Sequence, residues 1–179
     1  MKKNKRIILH GLFFLFLTFI LCSFQSVVWF QLFGHFTAPF FTFVLFVYFG
    51  LDKDSWRSLI YCYSIVFLYS QFSFASLGIL YFSSMITYIF LFFVKTRIYW
   101  PGSAYFAMMS SASLFLFNLT YVFSSLAFES DPTPVIFIKR LTELLLTTIF
   151  SYFAYSYIKR IDSLFKLDSH SEIRGEIHG

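Results

Sequence analysis

Four histidines, two cysteines and nine acidic residues are the side chains with chemical reach in this 179-residue sequence, and their spacing limits what they can do. His10 and His35 stand alone in apolar surroundings, with no second histidine, cysteine or carboxylate at ligand spacing, and His170 and His178 fall in the polar C-terminal stretch. Cys22 and Cys62 lie in separate apolar blocks, which is neither a disulfide framework nor a metal-ligand pattern; they read as small core hydrophobes. No metal and no cofactor is expected. The acids cluster between apolar blocks and near the C-terminus, apart from Glu143, which follows Lys139 by four residues inside an apolar block. An ionisable group at membrane depth is a functional candidate. Two readings stand for this one: a polar contact within the bundle or with a partner, and a local i,i+4 ion pair near the headgroups. Serine and threonine are abundant but lack triad partners, and an intramembrane hydrolase or phosphotransferase needs several acids or histidines at depth. The chain is expected not to be an enzyme. Asn118-Leu119-Thr120 matches a glycosylation pattern but sits inside an apolar block.

The elements that carry these residues follow from composition. The chain is 58% hydrophobic and 13% charged, with a mean hydropathy of +0.71. A soluble domain has about 25% charged residues, so too few are present to cover a water-facing surface. The apolar residues come in blocks of about 20, long enough to span a bilayer, without the two-residue alternation of a β-barrel. The fold class is all-α, a polytopic integral membrane protein. The 29 phenylalanines are spread over every block and read as lipid-facing filler rather than a ligand cage. The net charge of +5 sits at block ends, where membrane topology accounts for it; no nucleic-acid partner is expected, and the lipid bilayer is.

Along the chain, Lys2, Lys3, Lys5 and Arg6 precede an apolar run from Ile7 to about Phe30, too long for a signal-peptide core and read as an uncleaved first span. Gln31 to Thr37 is an uncharged turn, and Pro39 opens a second span to about Leu51, where its missing N–H is harmless. After Asp52-Lys53-Asp54 and Arg57, Leu59 to about Ser70 forms a short third segment, tilted or re-entrant. A polar corner at Gln71–Ser76 leads into a fourth span from Leu77 to Val94. The stretch from Ile65 to Arg97 is therefore expected to organise the bundle. Trp100-Pro101-Gly102 is an interfacial turn. The fifth span runs from about Ser103 to Phe128. Its Ser103, Ala107 and Ser111 recur every four residues, a small stripe that admits a neighbouring helix, with Asn118 on the same face to hydrogen-bond across it. Glu129 to Pro134 is a loop, and the last span runs from about Val135 to Ile158, closed by Lys159-Arg160. One six-span domain over 1–160 is expected, followed by a flexible polar cytoplasmic tail over 161–179. The loops on the side of the termini hold Lys53, Arg57, Lys95, Arg97, Lys159 and Arg160, which places both termini in the cytoplasm. Lys139 and Arg140 are the exception near the outer end of the last span.

The order of these segments resembles the bacterial rod shape-determining protein MreD family over roughly residues 7–160. It does so through Gln25 late in the first span, Pro39 opening the second, the short third segment before Ser76-Leu77-Gly78, Tyr88 in the fourth span and the terminal Lys159-Arg160. Many members carry an acid late in the third segment, where this chain has Phe67-Leu68-Tyr69-Ser70. The resemblance implies a multi-pass inner-membrane, non-enzymatic component of the cell-elongation machinery. It would work with a bitopic MreC-like protein, an MreB-like filament and the peptidoglycan synthases, with Lys139 and Glu143 near the outer face as partner contacts. It also implies a six-helix bundle similar to the substrate-binding components of vitamin transporters, which supplies the rival function of small-molecule capture.

Overall fold

The structure, a computed structural model, describes residues 2–34, 36–52, 56–73, 75–98, 102–130, 132 and 136–164. His35, Lys53, Asp54, Trp100, Pro101, Asp131, Thr133, Pro134 and the tail from residue 165 onward lie outside the described residues. Among those described there are six helices and no strand. Helix α1 covers residues 2–33 as an α-helix over Lys2–Ser23, a π-helical turn over Phe24–Val28 and an α-helical end over Trp29–Phe33. The others are α2 (Phe41–Asp52), α3 (Trp56–Phe72), α4 (Leu77–Arg97), α5 (Ser103–Phe128) and α6 (Phe137–Leu164). Gly34 ends α1 at φ +60°, a left-handed conformation that costs glycine nothing and other residues strain.

Three helices, Ile8–Phe33, Leu77–Arg97 and Ser103–Phe128, are long and apolar enough to cross a bilayer, which makes this a membrane protein. Their outer faces carry exposed Phe16, Phe19, Phe82, Phe92, Phe115 and Phe123, the pattern of side chains in contact with lipid tails.

The centre of the bundle is α2. Its sequence, FTFVLFVYFGLD, is apolar all round, and such a helix has to be enclosed on every side. Every residue from Phe40 to Leu51 is buried, and α2 packs against each of the other five helices. Those five form an incomplete ring around it in the order α1, α3, α4, α5, α6, each packed on the next. Among the described residues α6 and α1 scarcely pack on one another, so the ring is open there. Phe41 of α2 fills this seam from inside, with ring centroids 5.6 Å from Phe24 of α1 and 4.7 Å from Phe150 of α6. The first backbone N–H groups of a helix lack intrahelical partners; near the start of α2, the Phe40 N–H donates to Thr147 Oγ1 of α6 at 2.8 Å.

Small side chains line the tightest helix contacts. Ser83, Ser84 and Thr87 of α4, Ser110 and Ser113 of α5, and Thr147 and Ser151 of α6 are all buried. Apolar tails surround a membrane bundle as readily as they fill it, so close backbone approach has to supply much of the association energy. Thr87, Thr147 and Ser151 return their hydroxyl protons to carbonyls one turn back, at 2.6 to 2.8 Å, so these polar atoms are satisfied without leaving the helix.

Three expectations are corrected. The short element is the second, not the third: α2 has 12 residues and α3 has 17, about 18 and 26 Å at 1.5 Å per residue. Ile65–Arg97 is therefore part of the ring, and α2 is what the bundle is built around. Its phenylalanines Phe41, Phe43, Phe46 and Phe49 are core side chains rather than lipid-facing filler. Finally, α6 continues to Leu164, with Asp162 buried, so residues 161–164 belong to the bundle and not to a fraying tail.

Candidate functional site

The buried stripe of α6 reads Glu143, Thr147, Ser151, Ala154, Ile158, Asp162, spaced by three and four as one helix face requires. It begins and ends on an acid. Nineteen residues separate Glu143 from Asp162, about 28 Å along the axis, which is close to the thickness of a bilayer's hydrocarbon core. Each acid anchors a polar cluster at its own end of the α1–α6 seam.

At the end with the chain termini, Asp162 closes the seam. Its Oδ1 lies 2.6 Å from His10 Nε2 on α1, and its Oδ2 accepts the Tyr48 hydroxyl of α2 at 3.0 Å. His10 Nδ1 is 3.1 Å from the Tyr61 hydroxyl of α3. An imidazole carrying its proton on Nε2 satisfies both of its contacts: it donates to Asp162 and accepts from Tyr61. His10 is 1% exposed and Asp162 8%, and Phe14 and Phe49 pack on the imidazole with centroids at 4.6 and 6.3 Å. Four helices are thus tied by one network. The expectation of an isolated His10 is overturned, because its partner lies 152 residues away in sequence.

At the other end the seam gapes into a groove of about 570 Å³. Helix α1 supplies Gln25 and Ser26, α3 and the residue after it supply Tyr69 and Ser73, and α6 supplies Arg140 and Glu143. The π-helical turn is what sets the α1 wall. The Trp29 N–H bonds to the Phe24 carbonyl five residues back, which widens the turn and shifts the pairing register; such turns recur at functional sites. Ser26 Oγ donates to the Cys22 carbonyl at 2.8 Å, adding a side-chain partner where backbone pairing changes. Gln25 Oε1 is buried with no hydrogen-bond partner among the described residues.

Glu143 is 8% exposed and is paired with Arg140, whose Nη1 donates to Glu143 Oε2 at 3.1 Å. This i,i+3 pair replaces the expected Lys139–Glu143 pair. Arg140 is held inward over the Tyr121 ring of α5, 5.8 Å from its centroid, a cation–π distance. Lys139 is exposed at the groove's rim. The structure therefore brings Gln25, Lys139 and Glu143 to one site.

The α5 residues lie elsewhere. Ala107 is buried, whereas Ser103 and Ser111 are half-buried at the edge of the packing face; its centre is Ser110, Ser113 and Leu114. Asn118 is half-buried and its Oδ1 finds no partner among the described residues. Cys22 and Cys62 are buried free thiols. Sequence reasoning does not single out Asp162, Tyr48 or Tyr61, and notes Arg140 only as an exception to the charge pattern. Asp162 is within its reach, since it continues the stripe from Glu143 at helical spacing.

No protein-family model, no curated protein and no solved structure matches the chain.

Proposed function

We propose that the chain is a non-enzymatic scaffold of the bacterial inner membrane, crossing it six times with both termini cytoplasmic. In this reading it has the helix arrangement of the six-helix vitamin-transporter components and serves cell elongation beside an MreC-like bitopic protein, an MreB-like filament and peptidoglycan synthases. The MreD-like order of segments supports it. The observation that carries it is the start of α6, where Ile136, Phe137, Ile138 and Lys139 are exposed in succession. A helix that only packs on its own bundle hides a residue in every three or four. This one presents three apolar side chains and a cation at the open mouth of the seam, where the near-membrane segment of a bitopic partner can bind. Exposed apolar surface rimmed by charge marks such interaction sites.

A photo-crosslinking residue at Phe137 tests this in living cells, with Phe153, exposed elsewhere on α6, as the control position. The scaffold reading expects the MreC-like protein to be captured from position 137 and not from 153, and expects depletion of the chain to round a rod-shaped host. Rods that persist on depletion, with no capture at 137, overturn it. A Glu143→Gln variant made at normal levels should support growth as rods. Loss of function by a variant that inserts and binds partners normally would instead assign chemistry to that carboxylate.

A further inference from the structure

The groups lining the seam's groove are not in balance with one another. Lys139 and Arg140 bring two positive charges, and Glu143 offsets one of them through its bond to Arg140. The mouth therefore keeps a net positive charge. Deeper in, the buried Gln25 Oε1 has no donor among the described residues, and a buried acceptor is costly to leave unmet. Phe72, Cys22 and Ala38 give the same groove an apolar wall. Its volume of about 570 Å³ falls within the roughly 300–1,000 Å³ of small-molecule sites.

We infer that this groove binds the polar end of an anionic phosphoglycerol-type compound. The phosphate lies toward Lys139 and Arg140, a hydroxyl donates to Gln25 Oε1, and the carbon skeleton rests on Phe72. Two requirements act together: net negative charge and at least one O–H or N–H donor. Phosphatidylglycerol meets both. Phosphatidylcholine meets neither, because its headgroup has no net charge and its quaternary ammonium carries no proton. The depth agrees with a headgroup, since Glu143 lies about one hydrocarbon thickness from Asp162. The same chemistry is offered by a soluble ester such as glycerol 1-phosphate, and the experiment separates the two sources. The site rests on the groove alone and holds whether or not the scaffold reading does.

The full chain, purified into phosphatidylcholine nanodiscs, is titrated with phosphatidylglycerol in one arm and with glycerol 1-phosphate in the other; native mass spectrometry and thermal unfolding read out binding. Phosphatidylglycerol retained about tenfold over phosphatidylcholine, the effect of one charge-assisted hydrogen bond, assigns a lipid occupant. Saturable stabilisation by glycerol 1-phosphate assigns a soluble one. In either case Lys139→Gln and Gln25→Leu should each remove most of the preference, and Lys159→Gln, at the opposite end of α6, should leave it unchanged. Lys139 is exposed, so its replacement tests the site even if Gln25→Leu unfolds. The inference is overturned if neither compound binds above the phosphatidylcholine background, or if binding is unaltered by Lys139→Gln.

Discussion

At the scale of single residues, the His10–Asp162 contact is the one on which most depends. It holds α1 to α6 at one end of a seam that packing leaves open. Removing one partner of a buried, hydrogen-bonded pair leaves the other unmatched, at a typical cost of about 3–5 kcal/mol. His10→Leu should therefore lower thermal stability in detergent sharply. Tyr61→Phe should cost about 1 kcal/mol, the net value of one ordinary hydrogen bond. The double replacement His10→Leu with Asp162→Leu should recover part of the loss, because no carboxylate or imidazole is then stranded, although the Tyr48 and Tyr61 hydroxyls lose these bonds. Equal melting of the parent and His10→Leu would show that the pair does not latch the seam. At the other end, Arg140 rather than Lys139 meets Glu143 because the Tyr121 ring draws the guanidinium inward.

At the scale of elements, the closeness of α2 to its neighbours sets the stability of the bundle. Gly50 shows how close it comes: a Cβ there would stand 2.8 Å from Leu91 Cδ1 of α4. Alanine asks only that the tip of Leu91 turn aside. Valine adds two methyl groups against a side chain that is itself 0% exposed, and overpacking of this kind costs about 1–3 kcal/mol. A Cβ added at Gly78, on the ring helix α4, would meet nothing within 4 Å, so Gly78→Ala should be neutral or stabilising by about 0.5–1 kcal/mol. In detergent the melting curve of Gly50→Val should move down, while that of Gly78→Ala should hold or move up. Parallel shifts would mean that the α2–α4 contact is looser than 2.8 Å implies.

At the scale of the whole molecule, successive helices run in opposite directions. The last residues of α1, α3 and α5 and the first of α2, α4 and α6 lie at the groove end, and the opposite helix ends lie on the side of His10 and Asp162. Arg57, Lys95, Arg97, Lys159 and Arg160 gather at the terminal end, against Lys139 and Arg140 at the groove end. That asymmetry sets orientation in a membrane. An alkaline phosphatase reporter fused after Ser130 should be active outside the cytoplasm, and one fused after Arg97 should be inactive. Activity at Arg97 and none at Ser130 would overturn the proposed orientation.

The sequence alone determined that the chain is helical and made for lipid, and it set most of the helix bounds to within a few residues. Those properties depend on local composition: long apolar blocks, Gly34 and Pro39 between the first two helices, and cations at block ends. It also made Glu143 conspicuous, since an ionisable side chain in an apolar block stands out wherever it is, whereas Gln25 entered only as part of the family-like order of segments. What it could not show was which block is central, because α2 and the ring helices are equally apolar and differ only in what surrounds them. Nor could it join His10 to Asp162, or bring Gln25 and Glu143 to one groove. Those pairs join the first and last helices, and no local pattern encodes a contact made by closing a ring around a sixth helix. Tertiary packing alone decided that two acids on one face of α6 would serve opposite ends of a single seam, one sealing it and the other lining its open groove.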